Sequence, residues 1–240
     1  MSAGPELVAP MAGGAMLYDA SRCSQPVERV FDREAWRARG GLEETAGGRG
    51  TVAFLRDGER RWVLRHYRRG GLVARLLDDT YLYTGAARTR SFREFRLLRM
   101  LREWDLPVPR PVAARYQRRG LLYRADLLTE ELPTRRTLAQ ALAAAPLAAP
   151  TWHAVGACVA RLHARGVHHA DLNAHNLLVG EDGAVYVLDF DRGRVRTRGA
   201  WERSVLERLH RSLVKVSAAL PSDRFDERAW DELRAGAEGG

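Results

Sequence analysis

The 240 residues are 45% apolar and 29% charged, which argues against wholesale disorder and leaves length for one large domain or two small lobes. Thirty-nine basic residues against 30 acidic ones give a net charge of +9, which favours an anionic partner or surface and also acts as a solubility term. Cys23 and Cys158 are the only cysteines and match no metal-ligand spacing, which argues against a disulfide framework or zinc site and fits a reducing compartment.

Residues 1–26 are rich in Gly, Ala and Pro and read as a flexible N-terminal arm. Glu6, Pro10 and Gly13-Gly14 interrupt its apolar stretch, so it does not read as a signal peptide. Gly47, Gly48 and Gly50 then precede a strand–turn–strand pattern, TVAFLR, Asp57-Gly58 and RRWVLRHY. From Thr89 to Arg102, Phe92, Phe95, Leu97, Leu98 and Leu101 recur at near-helical spacing. Pro107, Pro109 and Pro111 mark a connector, and RPVAARY and GLLYRADLLTE read as strands.

Leu132-Pro133 marks a hinge, after which helices are expected over Thr137–Ala145 and Thr151–Ala164. The alanine-rich run ending at Pro150 is too short to cross a bilayer. Gly166 suits the left-handed end of the second helix. A short strand at Leu177–Val179, a turn at Glu181-Asp182-Gly183 and the strand VYVLDF follow, then two amphipathic helices over roughly 201–235, parted by Pro221. The expected fold class is α+β: a β-rich first lobe over 27–131 and a compact, mainly helical second lobe over 132–240.

Residues 169–191, HADLNAHNLLVGEDGAVYVLDFD, carry the chemistry. Phosphoryl transfer needs a carboxylate that orients the attacking hydroxyl and takes its proton, and oxygen ligands that hold magnesium against the phosphates of ATP. An Asp and an Asn five residues apart on one loop, Asp171 and Asn176, can face a common point, and a hairpin can return Asp189 to it. This arrangement resembles the protein-kinase-like signature, in which H-x-D-x-x-x-x-N precedes D-F-G; His169, Asp171, Asn176 and Asp189-Phe190 match in order. The resemblance implies a two-lobed kinase-like fold with Asp171 as catalytic residue and Asn176 and Asp189 as Mg²⁺ ligands. ATP would be held by Gly47, Gly48, Gly50, Arg65 on the following strand, and Glu94 on the next helix.

Departures narrow the substrate. Arg65 stands where protein kinases carry Lys, Asp191 replaces the D-F-G glycine, and Asn173 occupies the place of a catalytic-loop lysine. About fifty residues follow Asp189, with no A-P-E segment, so little chain is expected for docking a peptide. At finer grain DLNAHN (171–176), LDFDRGR (188–194), LRHYRRGGL (64–72), TRSFREFRLL (89–98) and LPVPRPVAAR (106–115) resemble the 3-deoxy-D-manno-octulosonic acid (Kdo) kinases of lipopolysaccharide assembly. That resemblance implies transfer from ATP to the 4-hydroxyl of a Kdo residue on a lipid A precursor, at the cytoplasmic face of the inner membrane. Arg68, Arg69 and Arg75, interleaved with Tyr67, Leu72 and Leu76, suit an anionic membrane surface.

Two other readings share these residues. A small atypical protein kinase acting on RNA-bound machinery would use the same loop, although no aromatic–basic stretch for nucleic acid is present. A kinase-fold adaptor without catalysis would have lost one of Asp171, Asn176 and Asp189, and all three are intact.

Overall fold

The computed structural model describes residues 4–23, 28–43, 52–68 and 79–239. The chain divides into two compact units, Met1–Glu103 with Pro109–Glu131, and Trp104–Val108 with Leu132–Gly240.

The first unit is built on one antiparallel sheet. Its strands are β1 (Glu6–Met11), β2 (Gly14–Asp19), β3 (Leu42–Glu43), β4 (Val52–Asp57), β5 (Arg60–His66), β6 (Tyr81–Leu82), β7 (Pro111–Arg119) and β8 (Leu122–Glu130). They run in the order β1-β2-β7-β8-β5-β4-β3, with β6 on β8. The Asp57-Gly58 signal closes the β4–β5 hairpin with Asp57 opposite Arg60, and Gly58 takes the left-handed φ of 60° that the turn requires. Period-two alternation sends Met16, Tyr18, Ala53, Leu55, Trp62, Leu64 and Leu128 into one core cluster. That cluster includes Trp36 of α1 (Arg33–Ala38), whose ring meets Trp62 edge-on at 5.9 Å. Asp32 starts α1 by accepting from the backbone N–H groups of Glu34 and Ala35. The second helix, α2 (Arg90–Glu103), packs on β7 and β8 with Phe92, Phe95, Leu98 and Leu101 buried.

The structure corrects the expected flexible arm over 1–26. Residues 6–11 and 14–19 form a hairpin whose second strand pairs with β7, Leu17 opposite Ala114, and Met16 and Leu17 are fully buried. The Gly-rich composition reflects the turn and the pairing: a Cβ on Gly14 would lie 1.9 Å from the carbonyl oxygen of Tyr116. Among its described residues the first unit also holds two α-helices where one helix was expected, and residues 104–108 group with the second unit, where the Pro107 carbonyl accepts from the N–H of Val187.

The second unit contains α3 (Leu138–Ala144), α4 (Ala149–Ala164), β9 (Val167–His168), β10 (Leu177–Val179), β11 (Val185–Val187), β12 (Arg194–Val195), α5 (Trp201–Ser217) and α6 (Glu227–Glu238). Thr137 and Gln140 form a reciprocal capping box at the start of α3. Pro150 lies in the first turn of α4, which therefore begins before Thr151. Two glycines let α4 and α6 meet backbone to backbone: a Cβ on Gly156 would lie 1.9 Å from the Leu233 carbonyl oxygen, and one on Gly236 would lie 2.1 Å from that of His153. β10 pairs with β11 and β9 with β12. The loops after β9 and β11 carry the candidate residues Asp171, Asn176 and Asp189.

Candidate active site

In the first unit the alternation of β5 turns Arg65 towards α2, where the Arg65 guanidinium donates to the carboxylate of Glu94. Glu94 is 2% exposed, so the cation is held by a carboxylate shielded from bulk solvent. Tyr67 completes the group. Its hydroxyl donates to Glu94 Oε2 at 2.6 Å and accepts from Arg65 Nη2 at 3.3 Å. Burial and the adjacent carboxylate push the Tyr67 phenol well above its ordinary value, so it stays a donor. The sequence grouped Tyr67 with the residues suited to a membrane surface; at 4% exposure it is interior instead. Gly47, Gly48, Gly50, Arg69, Leu72, Arg75 and Leu76 lie outside the described residues.

His66, one residue on, points to the opposite face and meets Asp126 Oδ1 at 2.8 Å and Asp79 Oδ2 at 3.3 Å. Asp126 also accepts from Arg115 Nε at 2.7 Å. The hydrogen bond to Asp126 raises the His66 imidazole above its ordinary range against the cost of burial. Burial alone would raise the Asp126 carboxyl, but the His66 hydrogen bond and the Arg115 guanidinium outweigh it and hold it low.

In the second unit the catalytic-loop geometry starts from His169, which is 3% exposed. Its Nε2 lies 2.8 Å from the Leu188 carbonyl oxygen, and its Nδ1 accepts from the N–H of Asp171 at 3.3 Å. Those two bonds require the neutral Nε2–H tautomer, and burial pushes the imidazole below its ordinary value, in agreement. The ring of Phe190 packs edge-on against it at 4.9 Å. His169 thus joins the loop after β9 to the strand end after β11.

The same loop is braced from within. Asn173 and Asn176 donate side-chain N–H groups to the Asp171 carbonyl at 2.8 and 2.9 Å, which leaves the side-chain oxygen of Asn176 as its acceptor face. The N–H of Leu188 donates to the Asn176 carbonyl at 2.8 Å, which brings Asp189 beside Asn176. The strand ends at Val187, earlier than VYVLDF suggested, and Asp189 beyond it has a φ of 64°, a left-handed conformation uncommon for a residue other than glycine. The Asp171 carboxylate is exposed, with Arg208 Nη1 of α5 at 3.0 Å from Oδ1. Sequence reading missed Arg208; 37 residues separate it from Asp171 and no local pattern joins them.

Asn176 and Asp189 offer hard oxygen donors, the ligand chemistry that magnesium takes. Among the described residues no group of three or more His, Cys, Asp or Glu clusters as a metal cage. A pair of protein oxygens fits an ion that keeps several waters and completes its shell with phosphates.

A family model described as the lipopolysaccharide kinase (Kdo/WaaP) family matches residues 33–236. The chain is 47% identical over 204 residues to a 3-deoxy-D-manno-octulosonic acid kinase of Stenotrophomonas maltophilia (strain R551-3), covering 85% of this chain and 81% of that protein. A protein of the same description from Xanthomonas axonopodis pv. citri (strain 306) is 48% identical over 204 residues, with the same coverage. One from Vibrio parahaemolyticus serotype O3:K6 is 40% identical over 198 residues, 82% of this chain and 83% of that one.

Proposed function

The chain belongs to the lipopolysaccharide kinase (Kdo/WaaP) family, and on that premise we propose that it phosphorylates the 4-hydroxyl of a Kdo residue on a lipid A precursor, using ATP and Mg²⁺. Asp171 accepts the proton of the attacking hydroxyl as the new P–O bond forms and the bond to ADP breaks. Asn176 and Asp189 hold magnesium, which neutralises charge on the phosphates when bound. Arg65, fixed by Glu94 and Tyr67, supplies a preorganised cation for the nucleotide phosphates. The Gly47, Gly48 and Gly50 stretch offers backbone N–H groups to the same phosphates.

The observation that carries this reading is the braced loop: an exposed carboxylate at Asp171, tied through Asn176 and Leu188 to the left-handed Asp189. The enzyme is proposed to meet its lipid peripherally at the cytoplasmic face of the inner membrane. The surplus of +9 supports this, and no helix among the described residues is long and apolar enough to cross a membrane.

The test is transfer of labelled phosphate from ATP to purified Kdo-lipid A precursor, with lipid A lacking Kdo, generic proteins and RNA–protein complexes as alternatives. Label on the Kdo lipid, at least about a hundredfold lower in Asp171→Ala, is the expected result. Label on a protein alone would overturn the reading in favour of an atypical protein kinase. Raising salt shortens the Debye length and should move the protein from membrane to soluble fractions.

A further inference from the structure

Beside Asp171 lies a cavity of about 520 Å³, within the second unit, whose walls include His175 of the catalytic loop and Arg208, Arg211, Ser212 and Lys215 of α5. The helix buries Val205, Leu209 and Leu213, one face at four-residue spacing, and so presents Arg208, Arg211, Ser212 and Lys215 on an adjoining face. Ser212 bolts that face to the catalytic loop by accepting from the N–H of Ala174 at 3.1 Å. Lys215 is the only lysine in a chain whose other basic residues are all arginine.

Charge decides what this cavity takes. Asp171 is its one carboxylate, against the three cations Arg208, Arg211 and Lys215, and Arg208 already pairs with it at 3.0 Å. The cavity around His66 in the first unit is larger, about 650 Å³, but there four arginines face four carboxylates, and His66 itself is paired to two of those carboxylates. An uncancelled positive excess in a concave site attracts an anion.

We propose that the α5 face of Arg211 and Lys215, with Arg208 holding the Asp171 carboxylate, is the subsite for the acceptor's anionic group. A sugar carboxylate or a lipid phosphate seated there holds the acceptor beside Asp171, so the subsite supplies binding energy for the anionic acceptor. Arg208 is a positioning residue; Arg211 and Lys215 set specificity. The proposal rests on the reading of the chain as a kinase of an anionic glycolipid, and it adds the residues that recognise the anion.

The experiment compares wild type with Arg211→Gln, Lys215→Gln and the double variant, all exposed positions whose thermal melts should match wild type. Calorimetric binding and steady-state kinetics are measured on three acceptors: Kdo-lipid A precursor, its Kdo carboxyl methyl ester, and its dephosphorylated form. Each single variant should weaken binding and raise the acceptor KM by about tenfold with kcat little changed, since each removes one charge-assisted contact. Lys215→Arg should restore most of the loss. The modified acceptor that lacks the recognised anion should bind wild type as weakly as the double variant, with no further loss in that variant; this tells carboxylate from phosphate. Binding and KM within about twofold of wild type in the double variant would overturn the subsite, as would undiminished wild-type binding of both modified acceptors. Lys215-dependent binding without phosphorylation of the Kdo lipid would instead overturn the proposed activity and leave the anion subsite standing.

Discussion

Arg65→Met removes the cation proposed to face the nucleotide, and the structure sets how much its loss costs the fold. Glu94 is 2% exposed and the Arg65 side chain 23%, so removing the guanidinium strands a buried carboxylate with Tyr67 as its remaining described donor from this group. Breaking a fully buried pair typically costs about 3–5 kcal/mol. The partial exposure of Arg65 lowers this, and about 2–3 kcal/mol is expected, a fall in Tm of roughly 5–10 °C for a chain of this size. Glu94→Leu removes the charge that needed compensation, so the double variant Arg65→Met/Glu94→Leu should recover more than about 1 kcal/mol relative to the sum of the singles. The assay is urea denaturation followed by tryptophan fluorescence, alongside the KM for ATP, which should rise in both singles and the double. Recovery of stability without recovery of ATP affinity is the signature of a cation placed for phosphate. Additivity of the singles within about 0.5 kcal/mol would refute the coupling.

Asp189→Asn weakens an oxygen ligand, so activity should fall at low Mg²⁺ and be partly restored as Mg²⁺ rises; an unchanged Mg²⁺ dependence would remove Asp189 from the metal site. Gly156→Ala places a methyl 1.9 Å from the Leu233 carbonyl oxygen, forcing α4 and α6 apart, and should cost about 1–3 kcal/mol or more, read by thermal denaturation. The His66 imidazole has a folded pKa above its unfolded value, so its partners stabilise the fold fully below about pH 6.5 and lose that contribution as pH rises through the folded value. Wild-type stability should therefore decline more steeply as pH rises above about 6.5 than that of His66→Gln, and parallel curves would show that the His66–Asp126 pair carries no pH linkage.

Local chemistry made much of the protein legible. The Asp57-Gly58 turn, the periodic apolar run of α2 and the capping residue Thr137 act within a few residues, and each element formed where its own sequence called for it. The candidate catalytic loop is legible for the same reason: Asp171, Asn176 and Asp189 are spaced by one loop and one hairpin, whose internal bonds, Asn176 to Asp171 and Leu188 to Asn176, are short-range in the chain. Residues 6–19 were illegible because a strand in a Gly-rich stretch is stabilised by its partner, and that partner is β7, about a hundred residues away. Tyr67 carried a weak signal, its period-two relation to Arg65, but whether it faced solvent or core depended on where α2 put Glu94. Arg208 carried no signal at all. On a chain with 39 basic residues, charge identifies none of them; only the packing of Val205, Leu209 and Leu213 turns one particular arginine onto Asp171. The sequence alone determined the proposed reacting groups, because their spacing is covalent; the tertiary structure decided which distant charges meet them, because burial of an apolar face fixes a helix's rotation and no local rule does.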